Sequence, residues 1–406
     1  MIAQLLAGPE IGSKDVDDRE QQACIAGQTV EVAGRACTLR VSARLAAFAD
    51  HWPRSDRPSA GACQVFQCAD LLEIWLDTVG AARGTRPIFV GLFDEAGDPM
   101  MLLPLGIERK RGGRELGFLD GGVSDYNQPV LFPGAASIDA EAWTRTWAAI
   151  VRAIPPFDVA VFEKVVASCG GLPNPLLHFG GSASDEAGHA MSLPTSTAEL
   201  EARLPRRSVN KRKLKQLSAH GPVALEVAAS EAEAQAFLDA VVANKARQYE
   251  RTGVRGFDHP GMRDYYAEAT RRLPRPMGVH VSALTCGGEI VACHWGLIRN
   301  DRFYMLLTAY AQDWSRYSPG TLLHNALIRW CRERGLERFD FGIGNEPYKA
   351  EYCDERIPLY RSEIPNGPAG RVHLAASRTL TRLRATGLWQ RLRPIKWAII
   401  RRLRGG

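Results

Sequence analysis

At 406 residues the chain is long enough for two domains of ordinary size, each with its own core. A composition of 45% hydrophobic and 24% charged residues excludes a disordered or fibrous chain, and no apolar run approaches the ~20 residues that span a bilayer. The net charge of +6 is modest but unevenly placed: from Arg371 to the end there are ten Arg or Lys and no Asp or Glu, a tail suited to an anionic partner.

The start, MIAQLLAGPEIGSKDVDDREQQ, has a short apolar patch with no basic residue before it and turns acidic at once, so it is not expected to be a signal peptide. Residues 1 to about 36 read as poorly ordered. A first α/β lobe, 37–195, follows, with a helix near Ala69 to Ala82 and strands at Pro87 to Phe93, Met100 to Ile107 and Leu116. A helix from Asp139 to Ala153 and a strand from Val159 to Glu163 complete its regular elements. The Pro/Gly/Ser-rich passage Gly170 to Thr197 reads as loop and linker. The second lobe, 196–365, opens with a basic helix, Leu204 to Ala219, then a strand, Val223 to Val227, and helices Glu231 to Arg251 and Gly261 to Leu273. Strands Val279 to Thr285, Glu289 to Ile298 and Phe303 to Thr308 lead to a further helix, and Thr285-Cys286-Gly287-Gly288 is a hairpin turn. Nine cysteines without a C-x-x-C pair have neither a zinc nor a disulfide layout, which fits reduced thiols in a cytosol. Scattered histidines and the lack of a G-x-x-x-x-G-K-[ST] loop lead to an expectation of no metal and no P-loop.

The most informative stretch runs from Tyr304 to Lys349 and spells strand, helix and strand. Ser318 is placed to cap the helix, Pro319 suits its first position, and Gly320 lets a ligand approach the free N–H groups of the first turn. Leu323, Leu327 and Trp330 form its apolar stripe up to Gly335, and Phe339 and Phe341 alternate in the next strand. Such a helix start can hold a pyrophosphate, or it can be only a capped helix in an α/β protein.

Five pieces in this order carry a resemblance: Ile290 to Leu297 (IVACHWGL), Ala309-Tyr310, Tyr317-Ser318-Pro319-Gly320, Phe339-Asp340-Phe341-Gly342 and Tyr348-Lys349. They resemble the second half of the BioF2-like and CelD-like acetyltransferase family, a branch of the GNAT superfamily related to the Fem peptidyltransferases. Weaker matches upstream include Val65-Phe66-Gln67, Gly117-Phe118-Leu119, Ser124-Asp125-Tyr126 and Pro173 to Leu177, so that the resemblance covers roughly 60 to 362. It implies an α/β fold of two GNAT-like acyl-CoA N-acyltransferase domains, with mixed sheets flanked by helices. The wider superfamily's Q/R-x-x-G-x-G/A loop is not matched, since Arg316 and Gly320 are one residue too far apart and Thr321-Leu322 replaces the second glycine.

Acyl transfer of this type needs positioning, a base, a place for an oxyanion and a proton for the leaving thiolate. With acetyl-CoA or another acyl-CoA as co-substrate, Tyr317, Ser318, Gly320, Thr321 and Leu322 are the expected donor contacts. His294 is a candidate base or a core histidine bonded to backbone. Tyr310 is a candidate acid for the thiolate or a ring packed under the donor. Asp340 points away from Phe339 and Phe341 and is a candidate base, an orienting partner or a surface carboxylate. For the acceptor, the candidates are Asp125 and Tyr126 in a Gly-rich loop, Arg207 in the basic run 206–213, and Lys349; each also has the bland reading of a turn or solvated face.

These readings lead to an expected N-acyltransferase acting on an amino sugar for an exopolysaccharide or surface adhesin of the cellulose or holdfast type. The alternatives are a Fem-like aminoacyl-tRNA-dependent transferase and an idle scaffold; nucleic acid is not the expected partner. The tail, 366–406, places Leu388, Leu392, Ile395, Ile399 and Leu403 on one helical face, which fits an anionic membrane surface, with cyclic di-GMP or the protein's own surface as alternatives. The expected location is the cytoplasm, peripheral at the inner face of the plasma membrane if the tail binds there.

Overall fold

The computed structural model describes residues 24–110, 113–252 and 256–385. The first lobe contains β1 (Cys24–Val32), β2 (Arg35–Ser42) and a helix α1 that starts as Ala69–Trp75 and passes a π turn, Leu76–Gly80, into Ala81–Arg83. Strands β3 (Arg86–Phe93), β4 (Pro99–Lys110), β5 (Gly113–Phe118) and the short β6 (Val130–Leu131) follow. Helix α2 (Ala140–Ala153), β7 (Val159–Val166), the small hairpin β8 (Ser168–Cys169) and β9 (Leu172–Pro173), and β10 (Ser182–Ser192) end the lobe.

The second lobe runs α3 (Thr197–Arg203), α4 (Arg207–Ser218), β11 (Val223–Val227), α5 (Glu231–Thr252) and α6 (Met262–Arg272). Then come β12 (Val279–Cys286), β13 (Glu289–Arg299), β14 (Arg302–Tyr310) and α7 (Pro319–Glu333). The lobe closes with β15 (Arg338–Ile343), α8 (Lys349–Tyr352) and β16 (Glu355–Pro365), and α9 (Gly367–Ala385) packs on β16 and β7. Gly287 and Gly288 take positive φ, 60° and 83°, in the tight turn between β12 and β13.

One sheet joins both lobes, in the order β1-β2-β3-β4-β5-β7-β16-β10-β15-β14-β13-β12-β11. Its neighbours are antiparallel except β5 with β7 and β14 with β15, which are parallel and are each connected through a helix, α2 in one lobe and α7 in the other. The lobes are therefore two copies of one plan: strands β2 to β5, α2, β7 and β10 match β11 to β14, α7, β15 and β16. The final strands are exchanged, because β10 pairs with β15 and β16 pairs with β7. One face of the sheet is covered by α2 and, in the second lobe, by α7. On the other face, α1, α5 and α6 share a continuous core that crosses from lobe to lobe.

Two sequence expectations are corrected. The segment Gly170 to Thr197 is no linker: it contains β10, buried at Ala187, Ala190 and Met191 in the middle of the sheet. Its small residues hid the strand, and at Gly188 the small residue is needed, since a Cβ there would lie 2.3 Å from the Tyr126 hydroxyl. Residues 24–36 belong to β1 and β2 rather than to a poorly ordered start. The apolar face expected from Leu388 to Leu403 lies outside the described residues; among those, no helix is long and apolar enough to cross a membrane.

Candidate active site

The pairing of β14 with β15 ends at Tyr304↔Asp340, beyond which the two strands part. A bulge at the β13–β14 pairing, where Trp295 faces Leu307 and Gly296 faces Met305, turns β14 further outward. Into the opening comes the start of α7. Ser318, at φ 55° and ψ 49°, is left-handed and its side chain makes no cap bond, while Pro319 has no N–H to offer. The first-turn N–H groups of Gly320 and Thr321 are thus left to the cleft, at the positive end of the helix dipole. A Cβ built on Gly320 meets only Tyr310 Cδ1, at 3.7 Å, so the approach to these amides is open. The cleft, about 430 Å³, is lined by Ser318 to Thr321, Thr308 to Tyr310, Lys245 and Gln248 of α5, His324, Glu346, Tyr348 and Arg206.

The matching position in the first lobe is closed. There Asp139 caps α2 by accepting the Ala142 N–H at 2.8 Å, which fills the amide site with a carboxylate. The two halves of the repeat have diverged at the feature on which anion binding depends.

A second cavity, about 550 Å³, lies where the lobes meet. Its walls are the parting ends of β5 and β7 (Gly117, Phe118, Val161, Glu163), the loop from Asp120 to Asp125, and Tyr249, Phe257 and Tyr266 of the second lobe. The donor cleft adjoins it: Leu307 lines this cavity and Thr308 the cleft, while Tyr249 lines this cavity and Lys245 and Gln248 the cleft. Asp125 reaches across the junction, its Oδ2 accepting the Ile343 N–H at 3.2 Å. Gly342, at φ 71°, has to be glycine here, since a Cβ would sit 2.3 Å from that oxygen. Burial raises the Asp125 carboxyl to about 6, with Asp340 adding to the rise and Lys164 opposing it. Lys164 itself, at φ 57°, donates to Ser124 O at 2.7 Å and pairs with Asp120 at 2.9 Å, fixing the loop that carries Asp125. On the donor side, burial lowers the Lys245 ammonium, and burial with Lys349 lowers His324 to about 4.

Of the residues expected from sequence, Ser318, Gly320, Thr321 and Tyr310 line the donor cleft and Asp125 the adjoining cavity. The others are placed differently. His294 is fully buried, lines none of the described cavities, and lies against Phe303 with its Nδ1 3.4 Å from His280 Nδ1. Burial, then His280, holds its pKa well below the usual histidine value, so it stays neutral. Asp340 is also fully buried and saturated: it accepts from Tyr126 Oη (2.8 Å), the Gly342 N–H (2.7 Å) and Arg302 Nη2 (2.6 Å). Tyr126 is therefore a tie between lobes, not a substrate contact.

Lys349 points inward, donating to Gly342 O (3.2 Å) and Ile343 O (2.7 Å) and pairing with Glu346, so it holds the β15 end instead of gripping an anion. Tyr317 bonds His220 at 2.6 Å, and Leu322 packs in the core under α7. Arg207 is exposed outside the cleft, which its neighbour Arg206 lines while paired to Glu351. Sequence reasoning gave no site role to Lys245, His324, Glu346 or Tyr348; His324, a polar break in the α7 stripe, and Tyr348, part of the Tyr348-Lys349 piece, were the two that left a signal.

Residues 205–350 match the family model described as an acetyltransferase (GNAT) domain. The second lobe is a GNAT acetyltransferase domain. That makes the chain an acyltransferase. No curated protein matches by sequence. Among solved structures, FemX is similar over 77% of this chain and 94% of its own, with a TM-score of 0.50 and 10% identity, which is a likeness of fold. The C-terminal domain of a putative lysylphosphatidylglycerol synthetase from Agrobacterium fabrum is similar over 77% and 97%, with a TM-score of 0.46 and 16% identity. A tandem GNAT protein from the clavulanic acid biosynthesis pathway is similar over 80% and 98%, with a TM-score of 0.39 and 15% identity. Among the described residues, no group of His, Cys, Asp or Glu is arranged to hold a metal ion.

Proposed function

We propose that this GNAT lobe takes an acyl-CoA, acetyl-CoA in the simplest case, in the cleft at the start of α7 and passes the acyl group to an amine entering through the cavity between the lobes. The observation that carries this reading is the uncapped first turn of α7, open at Gly320 and flanked by the parted strands β14 and β15. The amides would receive the pyrophosphate, and the acyl-pantetheine arm would run inward along β14 toward Leu307. There the amine attacks the thioester carbonyl carbon, Asp125 takes the amine proton, and the C–S bond breaks to release the CoA thiolate, which takes up a proton. With its carboxyl near 6, Asp125 is ionised at neutral pH yet basic enough to act. Tyr310, beside Gly320, covers the donor.

The acceptor we favour is an amino sugar of an exopolysaccharide or surface adhesin. Its support is the resemblance to CelD-like proteins together with a polar, carboxylate-rich cavity, in which Glu108, Glu115, Asp120, Asp125 and Glu163 outnumber Arg83, Lys110 and Lys164. The deciding experiment follows CoA release from acetyl-CoA with glucosamine and short glucosamine oligomers as acceptors. Acceptor-dependent release supports the proposal. Transfer only from an aminoacyl-tRNA would replace it with the Fem-like reaction, and no turnover of either donor would leave a non-catalytic role.

A further inference from the structure

A third cavity, about 500 Å³, lies at the other end of β14 from the donor cleft: Arg302 and Tyr304 line it, whereas Thr308 to Tyr310 line the cleft. Segments 59–64 and 166–170 of the first lobe and 299–302 and 355–358 of the second form its walls. Neither the acyl donor nor the acceptor reading uses it. Its distinctive feature is Arg299, 7% exposed, whose Nη1 donates to the Cys63 carbonyl and whose buried Nε has no hydrogen-bond partner. Among the described residues no carboxylate is within ion-pair distance of this guanidinium. The other charged lining groups do not neutralise it. Arg302 is paired with Asp340 and Glu355 with Arg338, while Asp301 and Arg356 are exposed and opposite in sign.

A buried cation without a counter-charge is costly, and an arginine offers a planar fork that suits an oxyanion. We propose that this cavity is a binding site for a small oxyanion, carboxylate or phosphate, held by Arg299 between the two lobes. The walls supplied by Cys63, Val166, Cys169 and Ile357 leave room for a short carbon chain on the anion.

The test is the unfolding midpoint of the full chain, titrated separately with sodium phosphate and sodium succinate against sodium chloride at matched ionic strength. A saturable rise beyond chloride is expected in the wild type. Arg299→Gln, whose amide can still donate to the Cys63 carbonyl, should weaken that response at least ~10-fold. Ser168→Glu, an exposed position on the cavity wall, supplies a competing carboxylate and should weaken it too, which keeps the test decisive if Arg299→Gln does not fold. If the part of the response lost in the variants is larger for succinate than for phosphate, the ligand is a carboxylate, and if larger for phosphate, a phosphate. No rise beyond chloride in the wild type, or equal responses in the folded variants, overturns the proposal. Both variants leave the donor cleft intact, so phosphate binding there persists in all three proteins and cancels in the comparison.

Discussion

The His294 imidazole is fully buried against Phe303 and His280, which holds it neutral, and it lines none of the described cavities, although its ordinary pKa would suit a base. Asp125 sits in a Gly-rich loop that the sequence offers as an acceptor contact or a plain turn, and burial there lifts its carboxyl to about 6. Since the base must be ionised, turnover is expected to rise with pH through about 6, and Asp125→Asn should remove that limb and cost roughly 10² or more in kcat with acyl-CoA binding retained. A pH–rate profile checks both; an unchanged profile in Asp125→Asn would assign the base elsewhere. The buried histidines affect stability instead. His280 (lowered to about 3), His324 (to about 4) and His294 bind a proton far more readily unfolded than folded, so each lowers stability as pH falls below ~6.5. Asp125, with its carboxyl raised, acts in the opposite sense between about 6 and its unfolded value. Three groups against one leave a net loss of stability with acid, about 1.4 kcal/mol per pH unit per histidine. Urea unfolding between pH 7 and 5 measures it, and His280→Phe should flatten the slope.

At the scale of elements, α7 and α2 are the same helix in two copies of one plan, and their first turns decide which lobe can take a phosphate. The sequence places Ser318-Pro319-Gly320 at the start of α7 correctly, because Pro and Gly act locally on the backbone. It misjudges the serine, which adopts φ 55° and caps nothing, because that conformation depends on the preceding turn, Gln312–Tyr317, packed against α4. The uncapped form is the one that leaves amides for a ligand. Gly320→Glu would put a side chain and a negative charge into the open space before Tyr310 and should weaken CoA binding by well over ~1 kcal/mol. Calorimetry on the folded variant reads this directly, and unchanged affinity would remove the donor site from α7. Strands β11 to β14 were legible because apolar residues, β-branched side chains and a Gly-Gly turn mark them in place. β10 was not, since its Ser, Ala, Asp and Gly residues carry no pattern of their own, and Gly188, which packs against Tyr126, reads in the sequence as a loop residue.

Over the whole molecule, exchange of the last strands makes the lobes interdependent. Boundaries at 195 and 196 look reasonable from composition, but no local signal reports that β10 completes the second lobe's edge and β16 the first's. Buried bonds reinforce the exchange: Asp340 holds Arg302 beside it and Tyr126 from the other lobe, and Tyr304 Oη donates to Gln64 Oε1 at 2.8 Å. Asp340→Asn would leave the Arg302 charge buried without its partner and should cost about 3–5 kcal/mol, read as a lower urea midpoint for the entire chain. The shared core points the same way, since residues of α1 and α6 pack in one cluster. Residues 196–365 expressed alone would lack β10, leaving the Arg338–Ile343 edge and the facing edge of β16 unpaired and the core exposed where α1 belongs. That fragment is expected to aggregate or to bind hydrophobic dyes, and starting it at residue 182 should restore strand pairing but not the missing core. Co-expression with residues 24–195 should then give a soluble complex with one cooperative unfolding transition. If the 196–365 fragment instead unfolds cooperatively as a soluble monomer, the second lobe is independently stable and the exchanged strands are incidental to its folding.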